Sequence, residues 1–188
     1  MLHNIFAIEL CMRLEPDDRV QRELRALIDV LPASAAPGRK WGVLKRAADV
    51  LLEAQSRWVK GCWDYFDNDD RARTDYDMWC NGMITEEGAR REPSGLPDAD
   101  ARYMTFTISL LLKAGSHSAN ELARLCEIPQ GALWRSKSFV RILSGLHCVS
   151  YASVKSDVLY LIPRDMEWGL TETDLLDPKF HYLRPITE

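Results

Sequence analysis

SANELARLCEIPQGALWRSKSFVRILSGLHCVSYASVKSDVLYLIP, residues 118–163, is the stretch on which the fold turns. It fits two outlines. In one, helix, short turn, helix and wing succeed each other, as in a DNA-reading module. In the other, the same residues are the second half of an α+β core that ends in a strand at Asp157–Pro163, DVLYLIP. The preceding run YMTFTISLLL, Tyr103–Leu112, separates the two. Its β-branched and aromatic residues, with Thr105 and Thr107 alternating against Phe106 and Ile108, predict a buried strand. A winged-helix module needs residues 103–114 to be its first helix.

Ser118 with Glu121 predicts a capping box, Pro129 restarts the chain after a turn, and a further helix is expected to about Gly145. On the DNA outline, Gln130, Arg135, Lys137 and Arg141 would face nucleic acid, with no acid between Gln130 and Leu146 to oppose them. Trp134, Phe139 and Val140 dilute that face, and Gln130 is its only early side chain suited to a bidentate base contact. Between Gly115 and Asp165 bases outnumber acids only six to four, a thin margin for a binder that relies on several phosphate contacts.

Upstream, Ile5–Leu14 is apolar with Glu9 interrupting it, which suits a first strand or the start of a helix. Pro16 and Asp17 mark a helix entrance, and Val20, Leu24, Leu27, Ile28 and Leu31 form one amphipathic stripe that Pro32 ends. After the connector PASAAPGRK, the spacing of Trp41, Leu44, Ala48, Leu51, Ala54 and Trp58 predicts a long helix ending near Gly61. Trp63–Gly82 packs five aromatic rings and six aspartates into twenty residues. Read as a calcium loop from Asp67, it puts Arg71 at the fifth position, Ala72 at the sixth and Met78 at the twelfth, so a helix capped by Asp69 or Asp70 is the better account. The polar stretch that follows places a possible lobe boundary at residues 85–97.

At 188 residues and 46% hydrophobic content, one α+β domain spanning residues 1–188 is expected. The net charge of -4 supplies no global field toward phosphate or anionic lipid. Five scattered cysteines without a CxxC pair read as buried thiols of a reducing compartment. No apolar run reaches the roughly 20 residues of a membrane span, and no leader is seen, so a soluble cytoplasmic protein without membrane insertion is expected.

The C-terminal stretch DVLYLIPRDMEWGLTETDLLDPKFHYLRPI, Asp157–Ile186, resembles the ending of the DUF1517 family of uncharacterised proteins, which has cyanobacterial, plastid and other bacterial members. Its turn would be LIP at residues 161–163, its acidic helix LTETDLL at 170–176 and its close HYLRPI at 181–186. VQRELRALIDVL, SRWVKG and YMTFTISLLLKAG are similar to the family's first helix, aromatic helix end and central strand. Ile162 stands where the family tends to have threonine. The resemblance implies an α+β domain with Tyr103–Leu112 and Asp157–Leu161 as strands, and transfers no catalytic residues.

Chemistry leaves little trace. The four histidines show neither HExxH nor a close ligand pair, GSHS at 115–118 lacks a nucleophile elbow, and GRKWG at 38–42 lacks phosphate-loop spacing. No catalytic, metal or cofactor-binding residue is expected. The expected fold is α+β, with about six helices packed on a small sheet of two to four strands. The expected role is a non-catalytic accessory or protein-interaction domain, with an unidentified protein partner or self-association. Its candidate partner surface is Trp58, Trp63, Trp79, Trp168 and Tyr182. The alternatives are a winged-helix DNA-binding protein and an enzyme whose site the sequence does not display.

Overall fold

A computed structural model describes residues 2–31, 34–84, 102–163 and 169–188. Among these, five strands form one antiparallel sheet: β1 (His3–Arg13), β2 (Trp58–Phe66), β3 (Tyr103–Lys113), β4 (Val154–Ile162) and the two-residue β5 (Arg184–Pro185). The spatial order is β4-β3-β1-β2-β5. Five helices pack on it: α1 (Arg19–Asp29), α2 (Pro37–Glu53), α3 (Asp69–Ile84), α4 (His117–Cys126) and α5 (Ser136–Gly145).

The α+β expectation holds, but the sheet has five strands rather than two to four. The strands that escaped the sequence reading are β2 and the two-residue β5, which pairs with it at Lys60↔Pro185 and Gly61↔Arg184. The stripe from Trp41 keeps helical spacing through Trp58, yet α2 ends at Glu53, a 3-10 turn spans Gln55–Arg57, and Trp58 begins a strand. Gly61, expected near a helix end, lies inside β2 opposite Leu10, where the Phe139 ring sits against the strand and leaves no room for a side chain. A Cβ at Gly61 would come within 2.7 Å of that ring.

β1 and β3 form the centre, paired from His3↔Lys113 to Arg13↔Tyr103. Both are buried along almost their whole length because both faces of the sheet are covered, which erases the alternation that marks a one-sided strand. On one face Phe6, Ile8, Leu10 and Met12 join Met104, Phe106, Ile108 and Leu110 beneath α1, α2, α4 and α5. On the other face two separate covers meet the sheet. Ala72 and Tyr76 of α3 pack on Ile5, Leu111 and Val158, while Leu170, Leu175, Phe180 and Leu183 pack on Cys11, Cys62 and Tyr103.

β3 pairs with β4 in the register Ile108↔Leu159, so residues 103–113 are a strand and not the first helix of a winged-helix module. The α4–α5 unit connects these two neighbouring strands, and Gln130–Ala132 is a 3-10 turn ahead of α5. Several caps shift by a residue or two from their expected positions. Asp18, not Asp17, caps α1. The Asn68 side chain accepts from Arg71 N at the start of α3. Ser116 caps α4, while Ser118 is buried and accepts from Ser150 N. The expected acidic helix at 170–176 contains only a 3-10 turn, Asp174–Leu176. The lobe boundary expected at 85–97 lies outside the described residues. Among those residues no helix is long and apolar enough to cross a membrane.

Candidate functional site

Strand register gathers polar side chains on the sheet face that α3 and the C-terminal segment share. Glu9 on β1 lies opposite Thr107 on β3 and Cys62 on β2. One step to either side along the same face are the Ser109–Ala7–Asp64 row and the row holding Thr105 and Cys11. Successive same-face residues of a strand sit two apart, so these rows form one polar floor. The two covers leave a cleft of about 440 Å³ over it. Phe66, Asp75 and Trp79 line one side and Phe180 and Tyr182 the other, with Arg71 and Lys179 also on the lining.

Glu9 is the most constrained group of the floor. It is only 2% exposed. Tyr182 donates its hydroxyl to Oε2 at 2.9 Å, and Oε1 has no hydrogen-bond partner among the described residues. Burial raises the Glu9 pKa above the ordinary carboxyl value, because the charged form loses its water; the Tyr182 hydrogen bond and then the Thr107 and Thr105 hydroxyls, which come near the carboxyl without meeting hydrogen-bond geometry, pull the other way without cancelling it. The neighbouring Tyr182 phenol is itself pushed up, by burial first and then by the Glu9 carboxylate.

Asp64 is half-buried, and its pKa is raised by burial and by the nearby Asp75 carboxylate, with Arg71 opposing. Arg71 donates to Asp75 at 3.2 Å and lays its guanidinium 3.6 Å from the Phe66 ring centroid, so its charge is already engaged on two sides. Burial pushes the Cys62 and Cys11 thiols up to about 12. Both stay protonated near neutral pH and are poor nucleophiles. Among the described residues no three His, Cys, Asp or Glu side chains gather as a metal site. The cleft therefore offers aromatic surface and carboxyl oxygens on a rigid sheet, a set suited to holding a molecule with an apolar body and a hydrogen-bond donor.

No family model, curated protein or solved structure matches this chain.

The residues of the expected partner surface are divided by the sheet. Trp79 and Tyr182 meet edge to face, 5.5 Å between centroids at 65°, and both line the cleft. Tyr182 remains 40% exposed. Trp58 and Trp63 lie on the opposite face. Trp58, 8% exposed, packs edge-on against Phe139 and donates Nε1 to Leu51 O. Trp63 donates Nε1 to Leu133 O. Trp168 lies outside the described residues. Gln130, Arg135, Lys137 and Arg141 are all exposed on the side of the sheet where α5 packs. There Arg141 donates to Arg124 O, and the Arg135 backbone bridges to Thr187. The sequence reading did not select Glu9 or Asp64. The available signal was a single acid inside an apolar run, matched by the Thr and Ser alternation of residues 105–109.

Proposed function

We propose that this chain is a small-molecule-binding domain whose site is the cleft between α3, the C-terminal segment and the polar face of the sheet. The observation that carries the proposal is the buried Glu9 on the cleft floor, held on one oxygen by Tyr182 and left without a described partner on the other. A buried acid without full compensation costs stability that an apolar residue of similar volume would not. Its position on the floor of an aromatic-lined cavity gives that cost a use. The expected recognition role of Trp79 and Tyr182 is kept, but with a small ligand rather than a flat partner surface as what they contact.

Protein-observed NMR screening of the isotope-labelled full chain against a diverse fragment library tests this. Binders should shift the indole resonance of Trp79 and lose affinity in Trp79→Ala. A library without binders, or binders that map only to the face carrying α2 and α5, would remove the proposal.

A further inference from the structure

We infer that the cleft selects an organic cation, an ammonium group carried on an apolar or aromatic body. This rests on the ligand-binding reading above and adds the charge of the ligand. Glu9 Oε2 is taken by Tyr182; Glu9 Oε1 and the Thr105 and Ser109 hydroxyls have no partner among the described residues, and of these three residues Glu9 alone lines the cleft, where its ionised Oε1 accepts only from a donor. Asp64 lies on the same face one step along β2, and Asp75 faces in from α3. The two cations on the lining do not balance these acids for an incoming anion. Arg71 is held by Asp75 and the Phe66 ring, and Lys179 lies 5.1 Å from the centroid of the Phe180 ring. An anion would have to approach Glu9 and Asp64 together, whereas an ammonium gains a charge-assisted hydrogen bond and further ring faces.

The same geometry sets a pH dependence. The groups around Glu9 are Tyr182 from the C-terminal segment, Cys62 and Asp64 on β2, and Cys11 on its own strand with Lys60 beyond it. Of these, Glu9 and Asp64 are the carboxyls whose burial makes them hold protons longer than usual. A bound ammonium favours both carboxylates, so its affinity rises with pH as they ionise. An alkylammonium keeps its own charge across that range.

The experiment is a screen of matched amine, alcohol and carboxylate triplets against the full chain, of which tryptamine, tryptophol and indole-3-acetate are one, followed by calorimetry from about pH 6 to about pH 8. The amine of a binding triplet should bind at least about tenfold tighter than its alcohol, tighten with rising pH, and lose that margin in Glu9→Gln. Asp64→Asn, at a half-buried position, should weaken the amine several-fold and serves if Glu9→Gln fails to fold. Alcohols or carboxylates binding in the cleft as tightly as their amines would overturn the cation inference and leave ligand binding standing. No binding by any member of the set would overturn both.

Discussion

Replacing Glu9 by Gln removes one titrating proton from the core while keeping the shape and the acceptor that Tyr182 uses, and its effect on stability can be worked out with its sign. The folded-state pKa of Glu9 is raised, by burial first, above the ordinary glutamate value of about 4.3. Its contribution to stability is therefore fully present below that unfolded value and is lost as pH rises toward the folded one. Over that window the folded chain keeps a proton that the unfolded chain has released, so each pH unit removes up to about 1.4 kcal/mol. The 2% exposure of Glu9 leaves little solvent screening to blunt this slope. Urea unfolding followed by circular dichroism, at steps from about pH 4 to about pH 9, should show the wild-type stability falling relative to Glu9→Gln and levelling once Glu9 ionises in the folded state. Asp18, Asp64 and the other carboxyls are common to both proteins and largely cancel in the difference. Tyr182→Phe removes the hydrogen bond that favours the carboxylate, so its decline should extend to higher pH than the wild type's. Parallel stability curves for wild type and Glu9→Gln would refute the burial of a titrating carboxyl at this position.

Asp18→Ala should cost about 2–4 kcal/mol, because Asp18 caps α1 through Gln21 N, accepts from Glu15 N in the turn before it, and holds the largely covered Arg57 at 2.8 and 3.2 Å. Burial alone would raise the Asp18 pKa, but the Glu15, Arg57 and Gln21 contacts bring it below the usual value; the gap to Asp18→Ala should therefore close as pH falls below about 3.9, measured by acid titration of both proteins. Gly61→Ala should lose about 1–3 kcal/mol in urea unfolding, since its methyl would meet the buried Phe139 ring at 2.7 Å and Ile186 at 3.1 Å. Ser109→Ala removes a buried hydroxyl without a partner among the described residues and should be neutral or stabilising by up to about 1 kcal/mol; a clear loss would show that Oγ is satisfied. Iodoacetamide should label the exposed Cys148 in the folded chain and reach Cys11 and Cys62 only on unfolding, read by peptide mass mapping.

The strands legible in the sequence were those with a local signature. DVLYLIP and YMTFTISLLL carry β-branched and aromatic residues between turn signals, and they pair as β4 and β3. β1 stayed ambiguous for a physical reason: a strand covered on both faces has no reason to alternate, and IFAIELCM reads equally as a helical run. β2 was misread because Trp58 satisfies the helical spacing of α2 while belonging to the next element. Only the third dimension supplies the Phe139 ring that requires a glycine at position 61 of β2. The caps were misplaced because Asp17, Asp18, Ser116 and Ser118 offer adjacent residues of equal capping chemistry, and the backbone chooses between them.

The site was legible only in fragments, because it is a product of register. Trp79 and Tyr182 stood out as rings, Glu9 as an acid in an apolar run, and Thr105, Thr107 and Ser109 as one side of an alternating strand. An alternating strand ordinarily turns its polar side to water. Here that side is roofed by α3 and by the C-terminal segment, and neither cover reaches the Glu9 row completely. Each feature alone has a bland explanation: a polar strand face belongs at a surface, and a helix over a sheet belongs to a core. Their coincidence does not, since a core would fill the row with apolar side chains and a surface would leave Glu9 hydrated. On the ligand-binding proposal, a sheet face that is polar, covered and still hollow is explained by a third component that enters the hollow, and the Glu9 oxygen without a partner among the described residues is where that component would donate its hydrogen bond.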